Sequence, residues 1–389
     1  MIGSHSGDGS TLAVHNQTAG SGVREVGEDP TQSRYGDQLE LSVRPPYLVI
    51  VRKPFERKGK HVYRPTSRGA PGRPARGLRV ALMSAVLLVV AAIPATATDQ
   101  GFPVTVIDDE GTEVTVEAMP ERIVSLAPST TETIFALGAG DRLVGGTDYD
   151  DHPAEAADLT DVATFTGVIM EQVVALEPDL VLAAGSGFTP AADITTMREL
   201  GYTVVVLYAP DVATVMSDIE LIGTTIGAAE TAQALTARMR TQLDAIEAEA
   251  AGMGTTPSVF YEVDAGPEIY APAPDSFLAD MIVRAGGRPI TTAGPALWSI
   301  PLEELLVADP EVIVLGDANY GTCPDDVAAR AGWEGMSAVV NGDVRAVDDV
   351  PITRPGPRLA QGLASLARAI HPELELADFP ADPPMCEAA

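Results

Sequence analysis

Gly227-Ala-Ala-Glu-Thr-Ala-Gln-Ala-Leu-Thr-Ala-Arg-Met-Arg-Thr-Gln-Leu-Asp-Ala-Ile-Glu-Ala-Glu-Ala-Ala251 is the stretch on which the reading of the fold turns. Its larger apolar or small positions fall at Ala228, Ala232, Leu235, Met239, Leu243, Ile246 and Ala250. Steps of three and four residues put them on one stripe of a helix. After Gly227 neither glycine nor proline interrupts it. At about 1.5 Å per residue the helix is roughly 35 Å long, the height of a small domain. Such a length suits a strut, and the chain on its two sides reads as two similar halves.

The similarity appears when the chain is laid on itself. Glu171-Gln-Val-Val-Ala-Leu-Glu-Pro178-Asp-Leu-Val-Leu and Glu303-Glu-Leu-Leu-Val-Ala-Asp-Pro310-Glu-Val-Ile-Val share one plan. An acidic residue opens a short helix, a proline follows seven positions later, and a buried strand begins. One copy lies on each side of the strut. Around them strands alternate with helices, which predicts parallel sheets covered on both faces. The predicted first-lobe strands are Ile123–Leu126, Leu143–Thr147, Leu180–Ala183 and Thr203–Leu207, after a small hairpin at 104–116. The second lobe supplies Ser258–Val263, Val312–Leu315 and Val344–Val347. The fold class is α/β: two similar lobes bridged by one long rigid helix, with a ligand cleft between them.

Charge and composition narrow the function. The 389 residues carry a net charge of -30, yet the first 98 hold 13 Lys+Arg against 7 Asp+Glu, leaving 12 against 48 afterwards. The body contains no lysine. Its field repels phosphate backbones and anionic lipid, which argues against nucleic acid as a partner. Residues 1–79 have the composition of a disordered or mis-assigned leader. Arg73, Arg76 and Arg79 then precede the apolar run Val80–Ile93, and Ala95-Thr-Ala97 offers a small-residue cleavage site. Residues 80–97 therefore read as a secretory signal, cleaved after Ala97 or retained as an anchor. The remaining divisions are an N-terminal lobe over 102–226, the helix over 227–251, a C-terminal lobe over 255–372 and a tail over 373–389. Cys323 and Cys386 are the only cysteines. In an exported body they can pair and pin the tail to the second lobe, though spacing alone does not decide it. With no Cys-x-x-Cys and five scattered histidines, no metal site of the usual zinc spacing is expected, nor any resident cofactor.

Catalytic signatures are missing: there is no Gly-x-Ser-x-Gly elbow, phosphate loop or His-Glu-x-x-His. Ser129 and His152 lack a third group to fix them, and Gly185-Ser-Gly lacks the third glycine of a dinucleotide fingerprint. No enzymatic activity is expected. Aromatic residues make up only 5% of the chain, and several fall in strand-to-helix loops where open α/β lobes place ligands. Tyr149, Phe165, Tyr270, Trp298 and Tyr320 are the candidates, and flat rings suit a large, partly apolar solute. Arg354 and Arg358 either meet a ligand carboxylate or pair with local acids.

Pro120-Glu-Arg-Ile-Val-Ser-Leu-Ala-Pro-Ser-Thr-Thr-Glu-Thr-Ile-Phe-Ala-Leu-Gly-Ala-Gly-Asp-Arg-Leu-Val-Gly145, followed by Asp148-Tyr-Asp-Asp-His-Pro153, closely resembles the opening of the periplasmic substrate-binding proteins of cobalamin and iron-siderophore ABC importers. Gly316-Asp-Ala-Asn-Tyr320 and Thr353-Arg-Pro-Gly-Pro-Arg358 look similar too, so the resemblance covers about residues 102–372. It implies two lobes on a long helix, little hinge motion, and a corrinoid, ferric siderophore or haem held in the cleft. It also implies an exported monomer that docks on a membrane permease through one surface glutamate per lobe, matched here by Glu171 and by Glu303, with Glu304 beside the latter. Tyr149, Phe165 and, one position out of register, Trp298 match the cobalamin site, with Phe165 standing where those proteins carry tryptophan.

Overall fold

The computed structural model describes residues 101–164, 166–185, 188–291, 298–380 and 385–386. The leader and the secretory signal read from the sequence lie outside the described residues.

The first lobe opens with the antiparallel hairpin of β1 (Val104–Ile107) and β2 (Glu113–Val116). Then follow β3 (Ile123–Ser125), α1 (Pro128–Ala136), β4 (Leu143–Thr147), β5 (Thr160–Thr164), β6 (Gly167–Val168), α2 (Met170–Leu176), β7 (Leu180–Ala184), α3 (Ala191–Glu199), β8 (Val204–Leu207) and α4 (Val212–Thr225). Six strands form one sheet in the order β6-β5-β4-β3-β7-β8, parallel except for the edge pair β5-β6. β7 is buried at all five positions, as a central parallel strand must be. β5 and β6 are not legible in the sequence. Thr160-Asp-Val-Ala-Thr alternates too weakly to announce a strand, and its pairing is set by the neighbouring β4.

The long helix α5 spans Ala229–Gly252, unbroken over 24 residues. It starts after Gly227, whose backbone is left-handed at φ +73°. Ala232, Leu235, Met239, Leu243, Ile246 and Ala250 are all buried, together with Thr236, which donates to the Glu220 carboxylate on α4 at 2.6 Å. The second lobe continues with β9 (Ser258–Glu262), β10 (Asp264–Ala265), β11 (Ile269–Tyr270), α6 (Phe277–Arg284), β12 (Arg288–Pro289), α7 (Leu302–Ala308), β13 (Val312–Leu315), α8 (Pro324–Ala328), α9 (Ser337–Asn341), β14 (Val344–Ala346), α10 (Val350–Thr353) and α11 (Leu359–Ile370). Its sheet is wholly parallel, in the order β12-β9-β13-β14.

α5 packs along α4 of the first lobe and α11 of the second. One apolar core therefore runs from first-lobe strands through α4 and α5 into α6 and α11, with a satellite core in each lobe. Polar ties reinforce the seam: Arg284 of α6 pairs with Glu247 of α5 at 2.7 Å, and Asp280 of α6 accepts from the Val212 N–H of α4 at 3.0 Å. The helix is a spine embedded between the lobes rather than a free-standing rod.

The internal repeat occupies equivalent places. α2 leads through Pro178 into β7, beside β3, and α7 leads through Pro310 into β13, beside β9. Both helices end on a non-glycine residue in the left-handed region, Glu177 at φ 45° and Asp309 at φ 42°. In each case the following proline forbids another helical turn.

Candidate functional site

The loops that leave the carboxyl ends of the central strands converge where the lobes meet. From the first lobe come the start of α1 and the loop 148–153. The second contributes the 3₁₀ turn Gly316–Tyr320 and the segment 353–358. A Cβ at Gly356 would stand 3.3 Å from the Ser129 carbonyl oxygen, so the lobes touch here.

The loop 148–153 is pinned by Asp150. This buried carboxylate accepts from the Thr131 hydroxyl at 2.7 Å, the Thr147 N–H at 3.0 Å and the Thr147 hydroxyl at 2.8 Å. A Cβ on Gly146 would lie 2.3 Å from its Oδ2, which only glycine avoids. Burial raises the Asp150 carboxyl above its ordinary range, opposed by these hydrogen bonds and by Arg354. With Asp150 turned in, Tyr149 is left half-buried and Asp148 and Asp151 exposed.

Across from it Arg354 binds three first-lobe groups. Its guanidinium donates to Asp151 at 2.5 Å, to the Tyr149 carbonyl at 3.2 Å and to Glu132 at 3.1 Å. Arg358 makes a two-pronged contact with Glu132, at 2.8 and 2.6 Å. Glu132, on α1, is only 3% exposed. Of the two readings open in the sequence, the structure has both arginines paired with the protein's own acids. Nothing in the local sequence marks Glu132 and Asp151 as the partners of these arginines. Thr131-Glu-Thr133 reads as a solvated helix face, and the partners lie 222 and 226 residues further on.

Tyr149 and Tyr320 are close enough that each phenol feels its neighbours' charge. Burial, then Asp148 and then Tyr320 push the Tyr149 hydroxyl above its usual value. Burial and Asp349 do the same to Tyr320, opposed by Arg354. Both phenols are neutral proton donors at neutral pH. Tyr320 is 45% exposed. The other candidates form a separate group on the second lobe. Tyr270 is buried and donates to Glu268 at 2.8 Å, with its pKa pushed up to about 12. The carbonyl of the half-buried Trp298 accepts from the Ala271 N–H at 2.7 Å, and the next residue, Ser299, bridges Tyr270. Phe165 lies outside the described residues.

Glu171 and Glu303 are both exposed in the first turns of α2 and α7, with Glu304 also exposed. Val174 and Leu306, which correspond in the repeat, are exposed beside them. Cys323 and Cys386 are bonded, with Cα atoms 5.9 Å apart, and tie residue 386 to the start of α8. Among the described residues no group of three or more His, Cys, Asp or Glu is arranged to hold a metal ion, and no helix is long and apolar enough to cross a membrane.

Three comparisons relate this geometry to known proteins. The periplasmic binding protein family pattern matches residues 123–351. An uncharacterised ABC transporter substrate-binding lipoprotein of Bacillus subtilis, YvrC, is 35% identical over 306 residues, covering 75% of this chain and 95% of that protein. The cobalamin-binding protein of Halobacterium salinarum is 33% identical over 282 residues, or 69% of this chain and 74% of the relative. Among solved structures, a periplasmic haem-binding protein of Pseudomonas aeruginosa superposes with a TM-score of 0.59 at 26% identity, over 68% of this chain and 98% of the other.

Proposed function

The chain belongs to the periplasmic binding protein family, whose pattern spans residues 123–351, and from that premise we propose that it captures a corrinoid between its lobes and hands it to the permease of an ABC importer. The coarser statement stands on the relatives: it is a solute-binding protein of an ABC importer, of the B12, haem or siderophore type. The bound solute is cargo rather than a resident cofactor.

The observation that carries the corrinoid reading is the state of the two arginines at the lobe junction, which this reading takes as the mouth of the ligand site. Diverting Arg354 or Arg358 to a ligand carboxylate would strip a partner from Glu132, whose side chain is 2% exposed. Glu132 would keep the other guanidinium, but the lobes would lose one of the charge-assisted hydrogen bonds that tie them together. With Asp148, Asp151 and Asp348 nearby and the body strongly acidic, the mouth disfavours polyanions. It favours an uncharged, amide-rich ring system lying against the Tyr149 and Tyr320 rings. A specific observation also favours a second reading, haem or a ferric siderophore: phenol oxygens are iron ligands, and two stand at this mouth.

Absorbance and fluorescence titration of the purified body with cyanocobalamin, haem and ferric siderophores separates these. Stoichiometric binding of cyanocobalamin, weakened about tenfold by Tyr149→Ala, is the expected result. Binding of iron ligands without cyanocobalamin would transfer the site to the second reading, and binding of none of them would end both.

Delivery follows from the repeat. Glu171 and Glu303 sit at matching places on the two lobes, and a pair of separated carboxylates can fix orientation and register on a two-fold permease. The basic stretch and apolar run ahead of residue 98 support export, with the receptor acting as a monomer outside the cytoplasm, free or retained by its anchor. Charge reversal at both positions, Glu171→Arg with Glu303→Arg, is expected to abolish uptake in a reconstituted importer while leaving the solute Kd unchanged.

A further inference from the structure

We propose that Glu262 and Asp317 are positioning residues for the mouth: one proton held between their carboxyl groups keeps the Gly316–Tyr320 turn seated, fixes where Tyr320 stands, and so makes solute capture proton-dependent. The link to capture rests on the receptor reading above; the seating of the turn does not.

Glu262 ends β9 with 0% exposure, and Asp317 is 5% exposed in the turn that follows β13. Arg330 grips Glu262 with two hydrogen bonds, at 2.5 and 2.7 Å, while its guanidinium stacks 4.7 Å above the Trp333 ring. The Thr322 hydroxyl donates to Asp317 Oδ2 at 2.7 Å. Asp317 Oδ1 is buried without any donor; Glu262 stands in register with Leu315, two residues before Asp317, and the two carboxyl groups act on one another's titration. Two carboxylates and one guanidinium leave a net negative charge in a dry site, which is costly. A single proton on the pair neutralises the cluster and supplies the donor that Oδ1 lacks. In keeping with this, burial first, and Asp317 in addition, push the Glu262 carboxyl up to about 7 against the pull of Arg330. Burial likewise raises Asp317.

Asp317 is bound covalently to the turn that carries Tyr320, and the turn is pressed on β9. A Cβ at Gly316 would lie 2.4 Å from the Tyr261 ring and 2.9 Å from the Glu262 carbonyl oxygen. Loss of the shared proton sets two carboxylates in contact without a donor between them. Their repulsion acts on the turn, since β9 is held by its sheet on both sides. The other charged groups facing the cluster are Asp264 of β10, toward Asp317, and Asp326 of α8, toward Arg330. Asp349 is a neighbouring titrating group: it accepts from the Tyr261 hydroxyl, acts on Tyr320, and is pushed up to about 6 by burial.

The test uses the whole body with ring-¹³C tyrosine, the Tyr320 signal being assigned from Tyr320→Phe. In the empty protein the Tyr320 resonance is expected to move with a midpoint near pH 7. The step should vanish in Glu262→Gln and persist in Asp349→Asn. With cyanocobalamin as the probe, Kd is expected to weaken about fivefold or more above the midpoint and to be flat with pH in Glu262→Gln. A resonance that does not move, one that moves equally in Glu262→Gln, or a Kd that ignores the step would overturn the proposal. If cyanocobalamin binds at no pH, the corrinoid reading falls, and the Tyr320 titration alone still decides the seating of the turn. Should Glu262→Gln fail to fold, Asp317→Asn is expected to abolish the same step.

Discussion

Glu132 gathers two guanidinium groups from the opposite lobe onto one buried carboxylate, with Arg354 and Arg358 only 18% and 20% exposed at their side chains. Glu132→Ala should therefore destabilise the protein by about 3–5 kcal/mol in urea unfolding, because it strands Arg358 and leaves Arg354 with Asp151 as its remaining carboxylate. Replacing all three residues by methionine is expected to recover most of that loss. A second residue sets a pH limit. Asp218 of α4 is 8% exposed, its Oδ1 has no donor, and burial followed by Asp109 pushes its carboxyl up to about 8 from 3.8. The unfolded chain loses this proton near pH 4 while the native state keeps it to about 8. Stability should therefore fall by about 1.4 kcal/mol per pH unit across that window. Thermal unfolding of Asp218→Asn over the same range should show a shallower slope. Neither residue was legible beforehand, since an isolated Asp or Glu in a helical segment looks like surface until its distant neighbours are in place. The aromatic candidates were visible because such residues are scarce and loop-borne. Only Tyr149 and Tyr320 of the described ones meet at the lobe junction.

At the level of elements, α5 was readable because a buried stripe repeating every three or four residues has no other physical meaning over 24 residues. The helix–proline–strand repeat was equally plain, as proline fixes where α2 and α7 must stop. What escaped were β5, β6, β12, the β10-β11 hairpin and the short helices α9 and α10, all brief pieces whose place is set by neighbours rather than local pattern. The fit of α4 against α5 was also invisible. A Cβ on Gly223 would come 2.3 Å from the Ala232 Cβ, so the two helices pack at this point with no room for a side chain. Gly223→Val is expected to cost about 1–3 kcal/mol through overpacking. Ala232→Gly in the same chain should relieve part of that cost, read as a double-mutant cycle by calorimetry.

Across the whole molecule like charge prevails: 12 Lys+Arg face 48 Asp+Glu after residue 98. Self-repulsion destabilises the compact state, and added salt screens it within a shorter Debye length. The melting temperature should rise as potassium chloride is increased at fixed neutral pH, by several degrees for each kcal/mol of repulsion removed. A melting temperature that falls monotonically with salt would mean that ion pairs such as Arg284–Glu247 outweigh the net field. The apolar core that passes uninterrupted along α5 has a further consequence. A core continuous along α5 disfavours hinge motion, so a full receptor and an empty one are expected to present nearly the same silhouette and radius of gyration, which small-angle X-ray scattering with and without solute would check. A transporter that distinguishes them has to do so by touching the rim of the bound solute or the few loops around it, for the outline of its courier carries almost no news.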